Sequence, residues 1–180
     1  GCGAWQRLFP GWVVTADDLL RIKQVCAVTA QAVIRFASIA FYLEDQVWND
    51  LKNNYPIPNQ YFQLAEMVRR WFKTYADFLQ CDSERILCFI KGVDALRRME
   101  RLADFFIVCE VIDDALPHQL IIHQLRCALG AIAGVNIQGL IEEGLAGAEL
   151  AKAIDQERLL AIEKRCQVPT SLDHPDDHTE

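Results

Sequence analysis

The sequence predicts an all-α protein, a compact multi-helix body of about seven to eight helices, on three observations. Apolar residues recur at spacings of three and four along most of the chain, the period of a helix with one buried face. No stretch alternates apolar and polar residues long enough to argue a sheet. Glycine, proline and asparagine punctuate the periodic runs at short intervals, the short connections that helical bundles prefer. With 52% apolar residues in 180 the chain has ample material for one core.

Taken in order, Trp5 to Trp12 is an aromatic-rich entry whose Pro10-Gly11 marks a turn. Thr15 followed by Asp18 has the capping-box pattern and predicts a helix through about Val28. A second helix is expected from Gln31 to Asp45, carrying Val33, Phe36, Ala37, Ala40, Phe41 and Leu43, before a break at Asn53, Asn54, Pro56 and Pro58. Asn59 is expected to cap a helix that runs to about Leu79 with Tyr61, Ala65, Val68, Phe72, Tyr75 and Leu79 as its apolar stripe. Asp82 or Ser83 caps the next, which Gly92 ends.

The longer helix beginning near Met99 is the predicted centre of the body, because Leu102, Phe105, Phe106, Cys109 and Ile112 fall on one stripe. Glu110 is expected at the margin of that core, where a carboxylate needs an arginine or backbone donors. Pro117 opens a helix through Ala133, Asn136 a short one ending at Gly144, and Ala148 the last, to about Arg165. From Pro169 the sequence is polar and acidic and is expected to be disordered.

The most apolar windows, Leu102 to Ile112 and Leu120 to Ile137, are interrupted by Asp104, Glu110, His123 and Arg126, so no membrane span is expected. Seven cysteines without a CxxC pair argue against a disulfide framework and for a reduced, cytoplasmic setting; Cys88, Cys109 and Cys127 are expected on apolar faces. The chain starts at Gly1 with neither an initiator Met nor a signal peptide, which reads as a piece of something longer. Net charge is −7, with Asp173, Asp176, Asp177 and Glu180 in the tail, so any nucleic-acid surface has to be local.

Chemistry-bearing sets are sparse. His118 and His123 are five apart, about 140° around a helix, and do not form a metal pair. His174 and His178 suit a metal by type but lie in the acidic tail. No Ser/His/Asp or Cys/His set, phosphate-cradling glycine loop or paired carboxylates stands out, so no catalytic residue and no metal ligand is assigned. What remains is basic: Arg69, Arg70 and Lys73 beside Trp71 and Phe72, then Arg97, Arg98 and Arg101 beside Met99, then Lys152, Arg158, Lys164 and Arg165 on the last helix. Such groups suit RNA phosphates when they share a face and are otherwise a solvated helix surface.

Several stretches, in order, resemble the C-terminal half of bacterial CCA-adding enzymes and the related poly(A) polymerases. GCGAWQRLFPGW is similar to the family's neck segment, with Gly11 where a Glu would stand. RFASIAFYLED, Arg35 to Asp45, is similar to RFAALxHDLGK of its HD domain. YPIPNQYFQLAEMVRRWF and ERILCFIKGVDALRRMERLADFFIVCE resemble the helices that follow, and GLIEEGLAGAELAKAIDQER its helical tail.

The resemblance implies a neck remnant over 1–14, a degenerate HD body over 15–116, a helical tail over 117–166 and an acidic end over 167–180. Phe41-Tyr42 replaces His-Asp and Glu44-Asp45 replaces Gly-Lys, which implies that the metal-dependent phosphohydrolase activity is absent. Ala146 replaces the tail's Lys. The implied role is to hold tRNA or other RNA, not DNA, through Arg69, Arg70, Lys73, Arg97, Arg98, Arg101, Lys152 and Arg158. The transferase chemistry, with its magnesium and nucleotide, would belong to a nucleotidyltransferase head absent from this chain, which is expected to be inactive alone. The alternative is a helical protein-interaction module that has lost RNA contact.

Overall fold

The computed structural model describes residues 13–142 and 144–166, without the side chains of Glu100 and Cys166. The entry segment and the acidic end, including His174 and His178, lie outside the described residues. The elements are α1 (Ala16–Val28), α2 (Ala32–Ala40), α3 (Asp45–Asn54), α4 (Asn59–Ala76), a 3-10 turn (Phe78–Gln80), α5 (Ser83–Gly92), α6 (Met99–Ile112), α7 (His118–Ala133), α8 (Ile137–Glu142) and α9 (Gly147–Cys166). There is no strand among the described residues, and the all-helical expectation holds.

Side chains cap three of the helix N-termini. The Thr15 hydroxyl accepts from the Asp18 amide at 3.2 Å while the Asp18 carboxylate accepts from the Thr15 amide at 2.9 Å, closing the predicted capping box. Burial alone would raise the Asp18 pKa, but the Thr15 bonds and Arg21 outweigh it and hold it below the ordinary value. Asp82 caps α5 by accepting from the Arg85 amide at 2.8 Å, and Asn136 caps α8 through the Gly139 amide at 3.1 Å. Asp94 takes φ 53° between α5 and α6, a left-handed conformation that Asp tolerates, and its carbonyl accepts from the Arg97 and Arg98 amides.

The core is continuous from Ile34 on α2 to Ile162 on α9. Helix α2 packs on α4, α6 and α1, while α9 packs on α7, α5 and α8. On α6, Leu102, Phe105, Val108 and Cys109 are buried and Phe106 and Ile112 half-buried, as the stripe predicted. Aromatic edges lock the centre, with Phe89 against Trp71, Phe78 and Phe105, and Tyr75 against Phe105. Tyr75 also joins its hydroxyl to His118 Nδ1 at 2.9 Å, and His118 Nε2 lies 2.8 Å from the Asp113 carbonyl, so the nitrogen facing the carbonyl carries the proton.

Several expectations are corrected. The single helix expected over Gln31 to Asp45 ends at Ala40, and a separate helix α3 follows that buries Trp48 and Leu51. Helix α4 begins at Asn59 itself, after Pro58 and without the expected side-chain cap, and stops at Ala76, leaving Leu79 in the 3-10 turn and 40% exposed. Glu110 is exposed and has no ion pair among the described residues, because the buried face of α6 runs through Val108 and Cys109 instead. Cys88 is exposed and Cys127 half-exposed, so of the three expected apolar-face thiols only Cys109 is buried. Segment His118–Glu142 is apolar enough to cross a membrane by length and composition, yet Gly134 to Asn136 interrupt its helix, and Ile121, Leu125, Ala128 and Ile132 face the core.

Candidate nucleic-acid interface

The turn between α2 and α3 holds Phe41, Tyr42 and Leu43 without glycine or proline. Its geometry comes from a side chain 26 to 29 residues away in sequence. Arg69 Nη1 donates to the carbonyls of Ala40 at 2.8 Å, Phe41 at 3.3 Å and Leu43 at 2.7 Å, and Nη2 pairs with Asp45 at 2.6 Å. The guanidinium also lies 5.3 Å from the Trp48 ring. A helix C-terminus leaves carbonyls without partners and attracts a cation, and Arg69 supplies both the donors and the charge.

The Phe41-Tyr42 pair is absorbed into packing. Phe41 meets Phe72 edge-on at 4.9 Å, the Tyr42 hydroxyl donates to the Ile112 carbonyl at 3.3 Å, and Arg21 sits 3.8 Å from the Tyr42 ring. Burial pushes the Tyr42 phenol up, against the opposing pull of Arg21. No group of three or more His, Cys, Asp or Glu side chains converges among the described residues.

The expected RNA-facing cations separate into three kinds. Arg69 is engaged in the fold, its guanidinium donating to three carbonyls and a carboxylate, which leaves it few donors for a phosphate. Arg98 pairs with Asp94 at 3.6 Å, Arg158 with Asp155 at 3.8 Å, and Arg101 donates to Gln63 at 2.9 Å. The buried Nε of Arg158 finds no partner among the described residues. Arg70, Lys73, Arg97 and Lys152 are exposed and have no ion pair there; Arg70 lies 5.2 Å from the Trp71 ring. Lys164 and Arg165, in the last turn of α9, are exposed too.

Arg69 and Arg70 border an open groove of about 550 Å³ with Phe41 and Trp48, where Asp45 and Glu66 contribute negative charge; Glu66 is paired with Lys52. On the other side, Arg70 faces Lys91, Glu84 and Asp155 across a second groove of about 450 Å³ floored by Trp71, Leu87 and Leu159. Lys91 pairs with Asp155 at 2.6 Å and ties α5 to α9. Sequence reasoning did not single out Lys91 or Asp155, and their separation leaves no local signal. Nor did it find the contact of Gly92 with Trp71, where a side-chain carbon would overlap the indole ring.

These features define a helical scaffold with dispersed exposed cations, and on α7 Cys127 Sγ lies 3.7 Å from His123 Nε2. The chain is 32% identical over 161 residues to a CCA-adding enzyme of Coxiella burnetii, covering 89% of this chain and 42% of that protein. It is 27% identical to a CCA-adding enzyme of Pseudomonas putida, over 89% of this chain and 44% of the other, and 27% identical to a multifunctional CCA protein of Thioalkalivibrio sulfidiphilus, over 81% and 42%. Over most of its length the chain is similar to part of these bacterial CCA-adding enzymes. It spans less than half the length of these curated relatives. No protein-family profile and no solved structure matches it.

Proposed function

We propose that this chain is the RNA-positioning region of a CCA-adding tRNA nucleotidyltransferase-type protein, acting in the cytoplasm with a degenerate HD body and no chemistry of its own. It holds tRNA by the phosphate backbone while a nucleotidyltransferase head, with its magnesium and nucleotide, extends the RNA. The observation that carries this is the similarity over 89% of the chain to a CCA-adding enzyme of which it spans only 42%. Arg70, Lys73, Arg97 and Lys152 are the cations best placed for phosphates because they are exposed and none has an ion pair among the described residues. Arg101 and Arg98 add to them at the start of α6, while Arg158, half-buried against Asp155, contributes less.

Fluorescence anisotropy with deacylated tRNA at two salt concentrations tests the reading. Binding should weaken with salt, and Arg70→Ala with Lys73→Ala should lower the salt slope by roughly 0.7–0.9 for each contact removed. Absent binding at low salt, or binding indifferent to salt, refutes it. One observation favours the protein-interaction alternative: Leu19, Leu20 and Val28 on α1 are each more than half exposed. Failure of the tRNA titration would move the reading there.

A further inference from the structure

A cleft of about 380 Å³ opens between the first turns of α4 and the start of α6, within the range of roughly 300–1,000 Å³ usual for small-ligand pockets. Gln60, Gln63, Leu64 and Met67 are spaced three, four and seven residues along α4 and so share one side of that helix. Leu64 is buried and Met67 half-buried, which makes an apolar floor, while the two amides of α4 stand exposed at the rim and Gln31, also exposed, and Val33 close a third side from the start of α2. Across from them Arg101 and Asp104, one turn apart on α6, are both half-buried.

The polar groups are unequally satisfied. Arg101 Nη2 donates to Gln63 Oε1 at 2.9 Å, which fixes the guanidinium at the edge of the cleft and leaves the Gln63 amide NH₂ to donate. The Asp104 carboxylate has no hydrogen bond or ion pair to another described residue. A half-withdrawn carboxylate accepts only, through two oxygens side by side, and is best met by two adjacent N–H donors.

Among the nucleobases, guanine alone offers that pair, N1–H beside the N2 amino group. Its O6 and N7 are acceptors of the kind a guanidinium or amide NH₂ addresses. Adenine and cytosine would set a ring-nitrogen acceptor against the carboxylate, and uracil a single N–H between two carbonyls. The thioether of Met67 and the Leu64 side chain suit the flat face of a base.

The geometry points to a guanine site: the cleft between α4 and α6 takes an unstacked guanine, with Asp104 accepting from its N1–H and N2 amino group, Arg101 and Gln63 donating to its other edge, and Met67 beneath. The site deepens the RNA-holding reading by naming the base such an RNA would insert, and a free guanine nucleotide offers the same chemistry.

The chain has two methionines, Met67 on the floor of the cleft and Met99 exposed at the start of α6, so ¹³C-methyl labelling gives one reporter and one control. Titration of the whole chain with GMP should shift the Met67 signal saturably, with AMP, CMP and UMP weaker by about tenfold or more. Asp104→Asn should lose a similar factor for GMP while its circular dichroism stays that of the parent. An unmoved Met67 signal at millimolar GMP, or equal responses to all four nucleotides, overturns the assignment.

A U-rich oligonucleotide with one unpaired G that binds more tightly than GMP identifies RNA as the source; GMP binding as tightly or more so identifies the free nucleotide. Salt-sensitive tRNA binding without a Met67 response to GMP sinks the guanine site alone. A GMP response without tRNA binding sinks the RNA-holding reading alone.

Discussion

Replacing Arg69 by Met keeps an unbranched chain beside Trp48 and removes the guanidinium that closes the α2–α3 turn. Three carbonyls lose a charged donor, and those of Ala40 and Leu43 belong to buried residues. A hydrogen bond to a charged group contributes about 1.5–3 kcal/mol, but three bonds to one nitrogen share a single set of protons and do not add. The partner carboxylate of Asp45 is 91% exposed, so that ion pair adds at most about 1 kcal/mol. The expected loss is about 3 kcal/mol, which for a chain of this size lowers Tm by roughly 6–12 °C. Urea and thermal melts followed by circular dichroism read it directly. Arg69→Lys should fall between parent and Met, because an ammonium keeps the charge but not the planar fork. A Met variant within about 0.5 kcal/mol of the parent, the range of ordinary surface substitutions, would refute the assignment of Arg69 to the fold. The same logic says Arg69→Lys should leave the salt dependence of RNA binding where it was.

Other substitutions probe different parts of the body. Gly92→Ala places a methyl in the Trp71 ring, and since an indole wedged against Phe89 has little room to move, a loss of about 1–3 kcal/mol is expected in the same melts. Alkaline titration probes the centre: burial raises both the Tyr75 phenol and the Cys109 thiol, the former helped by Cys109 and Glu110. Folded-state values above the ordinary 9.0 and 10.0 mean that this stability is complete below those values. It should fall as pH rises from about 9 upward, because the unfolded chain releases the protons first. Urea midpoints from pH 7 to 11 should therefore decline, and Tyr75→Phe, about 1 kcal/mol less stable at neutral pH for the lost bond to His118, should decline less above pH 10. A flat profile would contradict the burial argument.

The helices themselves were legible because their caps and apolar periods are local. Thr15 with Asp18 and the Leu102–Phe105–Cys109 stripe act within one or two turns and are found where the sequence puts them, and of Asp82 and Ser83 it is Asp82 that caps α5. The break after Ala40 was not legible, since no residue between Phe41 and Glu44 stops a helix. The carbonyls there are claimed by Arg69, and only the fold brings that side chain near. Helix α3 was missed by the same cause: the helix expected over Gln31 to Asp45 was drawn through the turn, and Trp48 and Leu51, which lie beyond it, were given no element. For the interface, a run such as Arg69-Arg70 says that cations are present but not which of two neighbours turns inward. About 100° around the helix separates a structural guanidinium from an exposed one. The Lys91–Asp155 pair and the cleft under Arg101 and Asp104 join residues far apart in sequence, so neither leaves a motif.

The Arg69 clamp has a consequence for how this turn behaves outside the folded ensemble. A countercharge carried by the polypeptide cannot be diluted away, stripped by chelators or exchanged for a competing ion. The turn therefore closes at whatever moment α4 docks, with an effective concentration set by chain connectivity and not by what the surrounding solution supplies. Assembly of α2, α3 and α4 becomes one event, and a nascent chain that has not yet produced Arg69 lacks the donor that ends α2 at Ala40.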